Sequence, residues 1–403
     1  MRRIPLGPVI VAGLAILWLG ASACIAAGDE REAPPTVVMI SFDGTRPADL
    51  DAGRIPSVAG LAGRGTRAEK LLPSFPSNTF PNHVTLVTGV APERHGIVDN
   101  TFVDPVRGLF EKKDIPTWIE VEPVWSLLAR HGVVSASFHW VGSEGDWPGG
   151  GGPRYWKPFS SKTGEQEKVD QILAWLDLPA ARRPRLITSW FHGADHAAHH
   201  HGPDSEEAVR SLALQDRAFR ALLDGIAERS LWPTTTVIVV SDHGMMVPER
   251  RVDLGARRAE AGVEARVIGI GGFVSVRVAD EEIPRAVEVA RGLGLSAWPR
   301  EDAPRELRLG SPRFGRLVVL APRGTAIVYD GLVLTGFHGH RPEVPEMAAI
   351  LVAAGRGVVP GSETPVIRNV DVAPTVLALL GAPVPDWMEG RPIASLLAGL
   401  EEE

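Results

Sequence analysis

A chain of 403 residues has room for two or three average domains, although large α/β enzymes commonly spend that length on one core with insertions. Hydrophobic residues at 44% and charged residues at 23% exclude general disorder and a multi-span membrane protein. The formal charge of −7 gives no basic footprint, so nucleic acid is not expected as a stable partner.

Arg2 and Arg3 precede an apolar stretch from Val9 to Leu19 and small residues through Ala23, a pattern that predicts a signal peptide over residues 1–27. The apolar run is short for a membrane span, so cleavage and export are expected, with retention as an anchor the alternative. Cys24, the one cysteine, directly follows Ala21, Ser22 and Ala23, where a bacterial lipoprotein carries its acylated residue, although the usual Leu three positions earlier is absent. Lipid attachment at Cys24 and plain cleavage near Ala27 both stay open. No cysteine follows, so an exported chain has no disulfide framework and must be held by its core, which suits a bacterial periplasm.

Residues 28–35 read as a polar linker, and residues 36–403 as one domain. Thr36 to Ser41 is a compact apolar run ending at Asp43 and Gly44, and it predicts a buried strand. Leu186 to Phe191, Thr236 to Ser241 and Ala348 to Val352 have the same shape. Helix-like segments lie between them at Val124–Arg130, Glu167–Leu176, Glu206–Glu228 and Val370–Leu380. Apolar strands alternating with helices predict an α/β fold, a mostly parallel sheet sandwiched by helices. Two stretches depart from the pattern. Gly142 to Pro158, rich in Gly, Trp and Pro, is either a loop over the site or a plain surface loop. Arg250 to Ala326, with strand-like Phe273–Val278 and Arg316–Leu320 and helix-like Glu282–Arg291, reads as a small α+β insertion (residues 250–326).

Three of the predicted strands deliver an aspartate at or just beyond their carboxyl ends: Asp43, Asp195 and Asp242. That edge is where open α/β sheets bind ligands. Asp195 and His199 stand four apart, a spacing that points both the same way on a helical turn. Taken alone, five histidines between His192 and His201 also fit a solvated polar loop, Asp242-His243-Gly244 fits a common turn, and His338 between glycines fits a structural histidine. Together they match the donor set of hydrolytic zinc, for which a two-metal site needs about six ligands. Asp43, Asp242 and His243 could hold one ion, and Asp195, His199 and His338 a second. Val84 to Gly89 predicts a short helix with Pro81 near its first turn, which puts Thr79 at the amino end. Thr79 is there either a helix cap or a nucleophile whose alkoxide is favoured by a metal and by the helix amides.

In this order, Ile40 to Gly44, Asn78 to His83 with Val87 to Gly89, His95 to Asn100, Asp195 to Pro203, Ser241 to Met245 and His338 with Gly339 carry a likeness. The chain resembles the nucleotide pyrophosphatase/phosphodiesterase family of the alkaline phosphatase superfamily, from about Val37 to Leu397 with a gap across Arg250–Ala326. The resemblance implies two Zn2+ ions. Asp43, Thr79, Asp242 and His243 would hold the nucleophile-side ion, and Asp195, His199 and His338 the other. It also implies attack by Thr79 on a phosphodiester or pyrophosphate, with a covalent intermediate that water then hydrolyses. Asn100 falls where the family donates to a non-bridging phosphate oxygen, and Phe80 and Trp190 where aromatic residues line the leaving-group pocket, to which Phe75 is added as a candidate. His340 and Arg341 stand where the family commonly has Tyr and Asp. That departure and the divergent insertion bear on the substrate. Competing readings are a phosphomonoesterase or phosphonate hydrolase on the same core, and an inactive zinc-binding surface protein.

Overall fold

The computed structural model describes residues 34–399, so the predicted signal peptide and Cys24 lie outside the described residues. Strand β1 (Thr36–Phe42) is buried along its whole length. Val37 and Met39 enter one hydrophobic core, while Val38, Ile40 and Phe42 enter another on the opposite face. Both faces of the pleat are therefore dry, and the run needs no polar alternation.

The next strands in chain order are β2 (Thr66–Ala68), β3 (Ser135–Phe138), β4 (Tyr155–Lys157), β5 (Leu186–Phe191) and β6 (Thr235–Val240). A separate set follows, β7 (Ala265–Ile268), β8 (Phe273–Val278), β9 (Ser296–Pro299) and β10 (Leu317–Leu320). Then come β11 (Leu351–Gly355) and β12 (Ser362–Thr364). The main sheet has eight strands in the order β12-β2-β11-β6-β1-β5-β3-β4. β1 lies parallel to both neighbours, with Val37 opposite Leu186 on one side and Thr236 on the other. β11 runs antiparallel to β6 and β2, and the remaining pairs are parallel.

The helices that matter for the site and cores are α1 (Thr79–Thr88), α2 (Val124–Arg130), α3 (Glu165–Leu176), α4 (Gly193–His201), α5 (Glu206–Glu228), α6 (Ile283–Gly292) and α7 (Val372–Leu379). α1, α2 and α7 send Leu86, Val87, Leu128, Val376 and Leu377 into one core, and α3 and α5 send Ile172, Phe219 and Leu222 into the other. This is the mostly parallel α/β sandwich expected. Among the described residues no helix is long and apolar enough to cross a membrane.

Two boundaries differ from the expectation for physical reasons. The strand expected at Ala348–Val352 runs from Leu351 to Gly355, because Ala349 pairs instead with Leu71 and the small Ala353 and Ala354 continue the ladder against Ile238 and Val237. The helix expected from Val84 begins at Thr79, so Pro81, which lacks a backbone N–H, sits inside its first turn. Within 142–158, Tyr155–Lys157 pairs with β3 at the sheet edge.

The insertion folds as an antiparallel sheet ordered β7-β8-β10-β9. α6 packs on it through Ala286 and Ala290, which share a core with Val274 and Val276. Arg250–Asp253 at its entry pairs in parallel with Thr325–Val328 at its exit, so both ends of the insertion are joined at one place.

Candidate active site

Three parts of the main sheet converge at one edge. Asp43 follows β1, Asp242 and His243 follow β6, and α4, which begins just after β5, carries Asp195 and His199 one turn apart. His338 comes from after the insertion, where Phe337 bridges to Met246. The ligand-type atoms of Asp43, Asp242 and His243 all lie within 4.8 Å of one another, as do those of Asp195, His199 and His338. The two sets share a wall, since the His243 and His338 rings stack with centroids 3.8 Å apart.

Each acid keeps a buried carboxylate oxygen without a hydrogen bond, and Asp43 and Asp242 use the other one. Asp43 Oδ2 accepts from the Trp190 indole N–H at 2.7 Å, and Asp242 Oδ1 from the Gly44 amide at 3.2 Å. Asp43 Oδ1, Asp242 Oδ2 and Asp195 Oδ1 are buried and accept no hydrogen bond. The three histidines follow the same rule. His243 Nδ1 donates to the Gly244 carbonyl at 2.8 Å, His199 Nδ1 to that of Gly336 at 2.9 Å, and His338 Nδ1 to Asn78 Oδ1 at 2.8 Å. Each Nε2 is then left with its lone pair facing the site, the tautomer that binds metal. His199 Nε2 and His338 Nε2 lie 3.2 Å apart. Two lone pairs at that distance repel unless a cation lies between them.

The electrostatics agree. Burial together with Asp195 and Asp242 pushes the Asp43 carboxyl well above its ordinary range. Burial and the neighbouring His243 and His199 push His338 well below the ordinary imidazole value. Buried unpartnered carboxylate oxygens beside neutral imidazole nitrogens fit divalent cations, and N/O donors of this kind suit zinc.

Thr79 is the first residue of α1, and the cap position belongs to Asn78. Thr79's hydroxyl lies 3.1 Å from His243 Nε2 and caps nothing. Asn100 Oδ1 accepts from the Phe80 amide at 2.7 Å, which leaves the Asn100 NH2 free to donate. Phe80 and Trp190 make an edge contact with centroids 6.4 Å apart. Phe75 belongs to the same hydrophobic cluster as Trp190, with Phe80 packed against it, and its ring meets Phe273 of the insertion at 5.3 Å.

Three residues near the site were not singled out from sequence. Phe159, 46% exposed, stacks on Trp190 with centroids 4.9 Å apart, and a Trp- and Pro-rich loop was the only hint of it. Lys112 places its ammonium 4.8 Å from the Phe80 ring centre, from a charged run that reads as plain surface. His83 Nδ1 donates to the Thr79 carbonyl at 2.9 Å and lies 3.3 Å from Asp242 Oδ2. His340 faces away from the ligand sets, its Nε2 donating to the Thr325 carbonyl at 2.8 Å, and Arg341 pairs with Glu343.

Glycines let the backbone come this close. Gly44 has φ +67°, and a Cβ there would meet Asp195 Oδ1 at 3.1 Å. Gly272 donates to the His338 carbonyl at 2.9 Å, and a Cβ on it would meet His340 N at 2.3 Å. Gly272→Ala must therefore displace the 338–340 backbone. Denaturant unfolding should show a loss of about 1–3 kcal/mol, and turnover should fall with it.

A sequence-family model described as type I phosphodiesterase / nucleotide pyrophosphatase matches residues 37–341. An uncharacterized pyrophosphatase/phosphodiesterase of Schizosaccharomyces pombe is 41% identical over 217 residues, which is 52% of this chain and 44% of that protein. Human ectonucleotide pyrophosphatase/phosphodiesterase family member 1 is 35% identical over 221 residues, 53% of this chain and 24% of that protein. The chain thus spans less than half the length of these curated relatives. The solved structure of human ectonucleotide pyrophosphatase / phosphodiesterase 5 superposes with a TM-score of 0.82 at 24% identity, covering 90% of this chain and 100% of that one. An inactive murine counterpart in complex with AMP gives 0.81 at 24% identity, covering 87% and 96%.

Proposed function

The chain belongs to the type I phosphodiesterase / nucleotide pyrophosphatase family, and from that premise we propose that it hydrolyses phosphodiester or pyrophosphate bonds with two zinc ions and Thr79 as nucleophile. The observation that carries the reading is the two adjoining groups of buried unpartnered carboxylate oxygens and Nε2 lone pairs, with the Thr79 hydroxyl 3.1 Å from His243 Nε2 in one of them. Asp43, Asp242, His243 and Thr79 would hold one ion, and Asp195, His199 and His338 the other. Ions so held would lower the hydroxyl's pKa, favouring the alkoxide, and stabilise negative charge on the attacking and leaving oxygens.

The chain's own groups then have defined tasks. Thr79 Oγ1 forms a bond to phosphorus while the leaving oxygen departs with its electron pair. Water next attacks that threonine phosphodiester, which still carries the second ester substituent; the bond from phosphorus to Thr79 Oγ1 breaks, Thr79 takes back a proton, and a monoester is released. The Asn100 NH2, left free because Asn100 Oδ1 accepts from the Phe80 amide, donates to a non-bridging oxygen. Trp190 works on two sides, its N–H fixing Asp43 and its ring forming part of an aromatic wall with Phe80 and Phe159. That wall would bury the second ester substituent by stacking. A nucleotide is a suitable substituent, in keeping with the AMP bound by the murine neighbour. The site is placed outside the cytoplasm, free in the periplasm or lipid-anchored through Cys24. Support comes from the amino-terminal pattern and from relatives named as ectoenzymes or venom phosphodiesterase.

Diesters should be preferred over monoesters. A diester monoanion is served by a neutral donor such as Asn100, whereas a monoester dianion gains most from a fixed cation. Lys112 over Phe80 is the one observation that favours the monoester reading. kcat/KM should be higher for a bis-aryl or nucleoside aryl diester than for the matching aryl phosphate. Asn100→Ala should lower diester turnover by about 10²-fold. A monoester preference in the wild type would reject the diesterase reading, and an unchanged diester rate in Asn100→Ala would reject that side chain's role.

A further inference from the structure

Asp99 is 3% exposed, and no step above uses it. Its Oδ1 accepts from two donors, the Asn78 side-chain amide at 2.7 Å and the Asn100 backbone amide at 2.6 Å. Asn78 is thereby oriented. Its Nδ2 must face the carboxylate, so its Oδ1 faces the other way and accepts from His338 Nδ1 at 2.8 Å. Asp99 Oδ2 accepts nothing, and Gly269 of the insertion closes over it so tightly that a Cβ there would come within 3.1 Å.

We propose that Asp99 is a positioning residue that acts through the Asn78 amide on His338, fixing, together with the Ser77 carbonyl that shares the His338 Nδ1–H, how that histidine is aimed at the second metal set. The role rests on the two-ion reading given above. A carboxylate placed directly against a histidine would do the same by accepting its N–H. Here an amide is interposed, which passes on the direction of the hydrogen bond and keeps the charge one residue further from the ions. The same oxygen holds the Asn100 backbone, so one buried atom ties the phosphate donor and the more exposed metal set into a single hydrogen-bonded chain. Without Asp99, the Asn78 amide can rotate to offer His338 an N–H instead of an acceptor. His338 Nδ1 would keep only its second acceptor, the Ser77 carbonyl at 3.1 Å, and the N–H met on the other side would turn the ring.

The test is stepwise zinc affinity, measured on the intact chain by competition with a chelating dye, for the wild type, Asp99→Ala, Asn78→Ala and the double variant. Each single variant should bind the second ion about 10–100-fold more weakly and leave the first within about threefold. The double variant should be no weaker than the weaker single, because both changes cut one link. Asp99→Asn, which keeps a carbonyl oxygen for both donors, should bind the second ion within about threefold of the wild type. If Asp99→Ala does not fold, Asp99→Thr, too short to reach Asn78, replaces it. An unchanged second-ion affinity, an equal weakening of both ions, or additive losses would overturn the role while leaving the two-ion reading intact. A wild type that binds no second ion would overturn both.

Discussion

Thr79→Ala is expected to lower diester turnover by about 10⁴-fold or more, the loss typical of removing an enzymic nucleophile. The fold should survive. Thr79's hydroxyl is directed at His243 and the cap position belongs to Asn78, so no helical hydrogen bond is lost. The urea midpoint should shift by less than about 1 kcal/mol in free energy. Thr79→Ser should keep partial activity, because its hydroxyl reaches the same place with an extra rotamer to choose from. Rapid-quench kinetics with an aryl diester should show a burst in the wild type and none in the Ala variant. A near-wild-type rate in Thr79→Ala would mean that attack comes from water alone.

Removal of metal by a strong chelator is expected to abolish turnover, by about 10³-fold or more, and zinc should restore it. Elemental analysis of the holoenzyme should give about two zinc ions per chain. Stability should fall as well, by about 4 kcal/mol for each site that had been held at a thousandfold excess over its Kd. The sign of the pH dependence follows from Asp43, which burial, Asp195 and Asp242 push well above its ordinary pKa when no cation is present. A group raised on folding favours the folded state below its unfolded pKa, and that contribution is lost as pH rises through the folded value. The gap between holo and metal-free stability should therefore widen from acid toward neutral pH. Urea midpoints of the two forms across that range would check it, and a constant gap would argue that Asp43 does not face the ion.

Much of this was legible in the sequence, for reasons that differ between elements. β1 could be read because both its faces are buried, and α5 because Ser205 caps it, accepting from the Ala208 amide, ahead of a strongly amphipathic run. The metal-type residues could be read because strand ends deliver them and because their order matches a known pattern. The amino end of α1 at Thr79 was legible because Pro81 is tolerated in a first turn, although the periodic apolar run begins only at Val84. β7 and β9 were not foreseen, since short edge strands carrying Arg266 and Pro299 lack the apolar alternation that marks a half-buried strand. Phe75 shares a cluster with Trp190, but that its ring also meets Phe273 of the insertion could not be read from local sequence. No local pattern could reveal that Asp99, Asn78 and His338 meet, because His338 arrives only after a separate sheet has folded between.

That the insertion leaves and rejoins the main domain through two paired segments, Arg250–Asp253 and Thr325–Val328, bears on how such chains can diversify. Paired strands lie about 4.8 Å apart, so a module of any length can be spliced there without stretching the host. Its far side, including α6 and the β9 edge, is then open to drift or to exchange with a relative's module. The near side is not. Gly269 lies against Asp99, and Gly271 and Gly272 lie against the His338 backbone, where a Cβ on Gly271 would meet the His338 carbonyl at 2.4 Å. A chimera that kept this glycine turn would preserve the hydrolytic centre while gaining a new outer surface, whereas one that lost it would fold around a misplaced histidine.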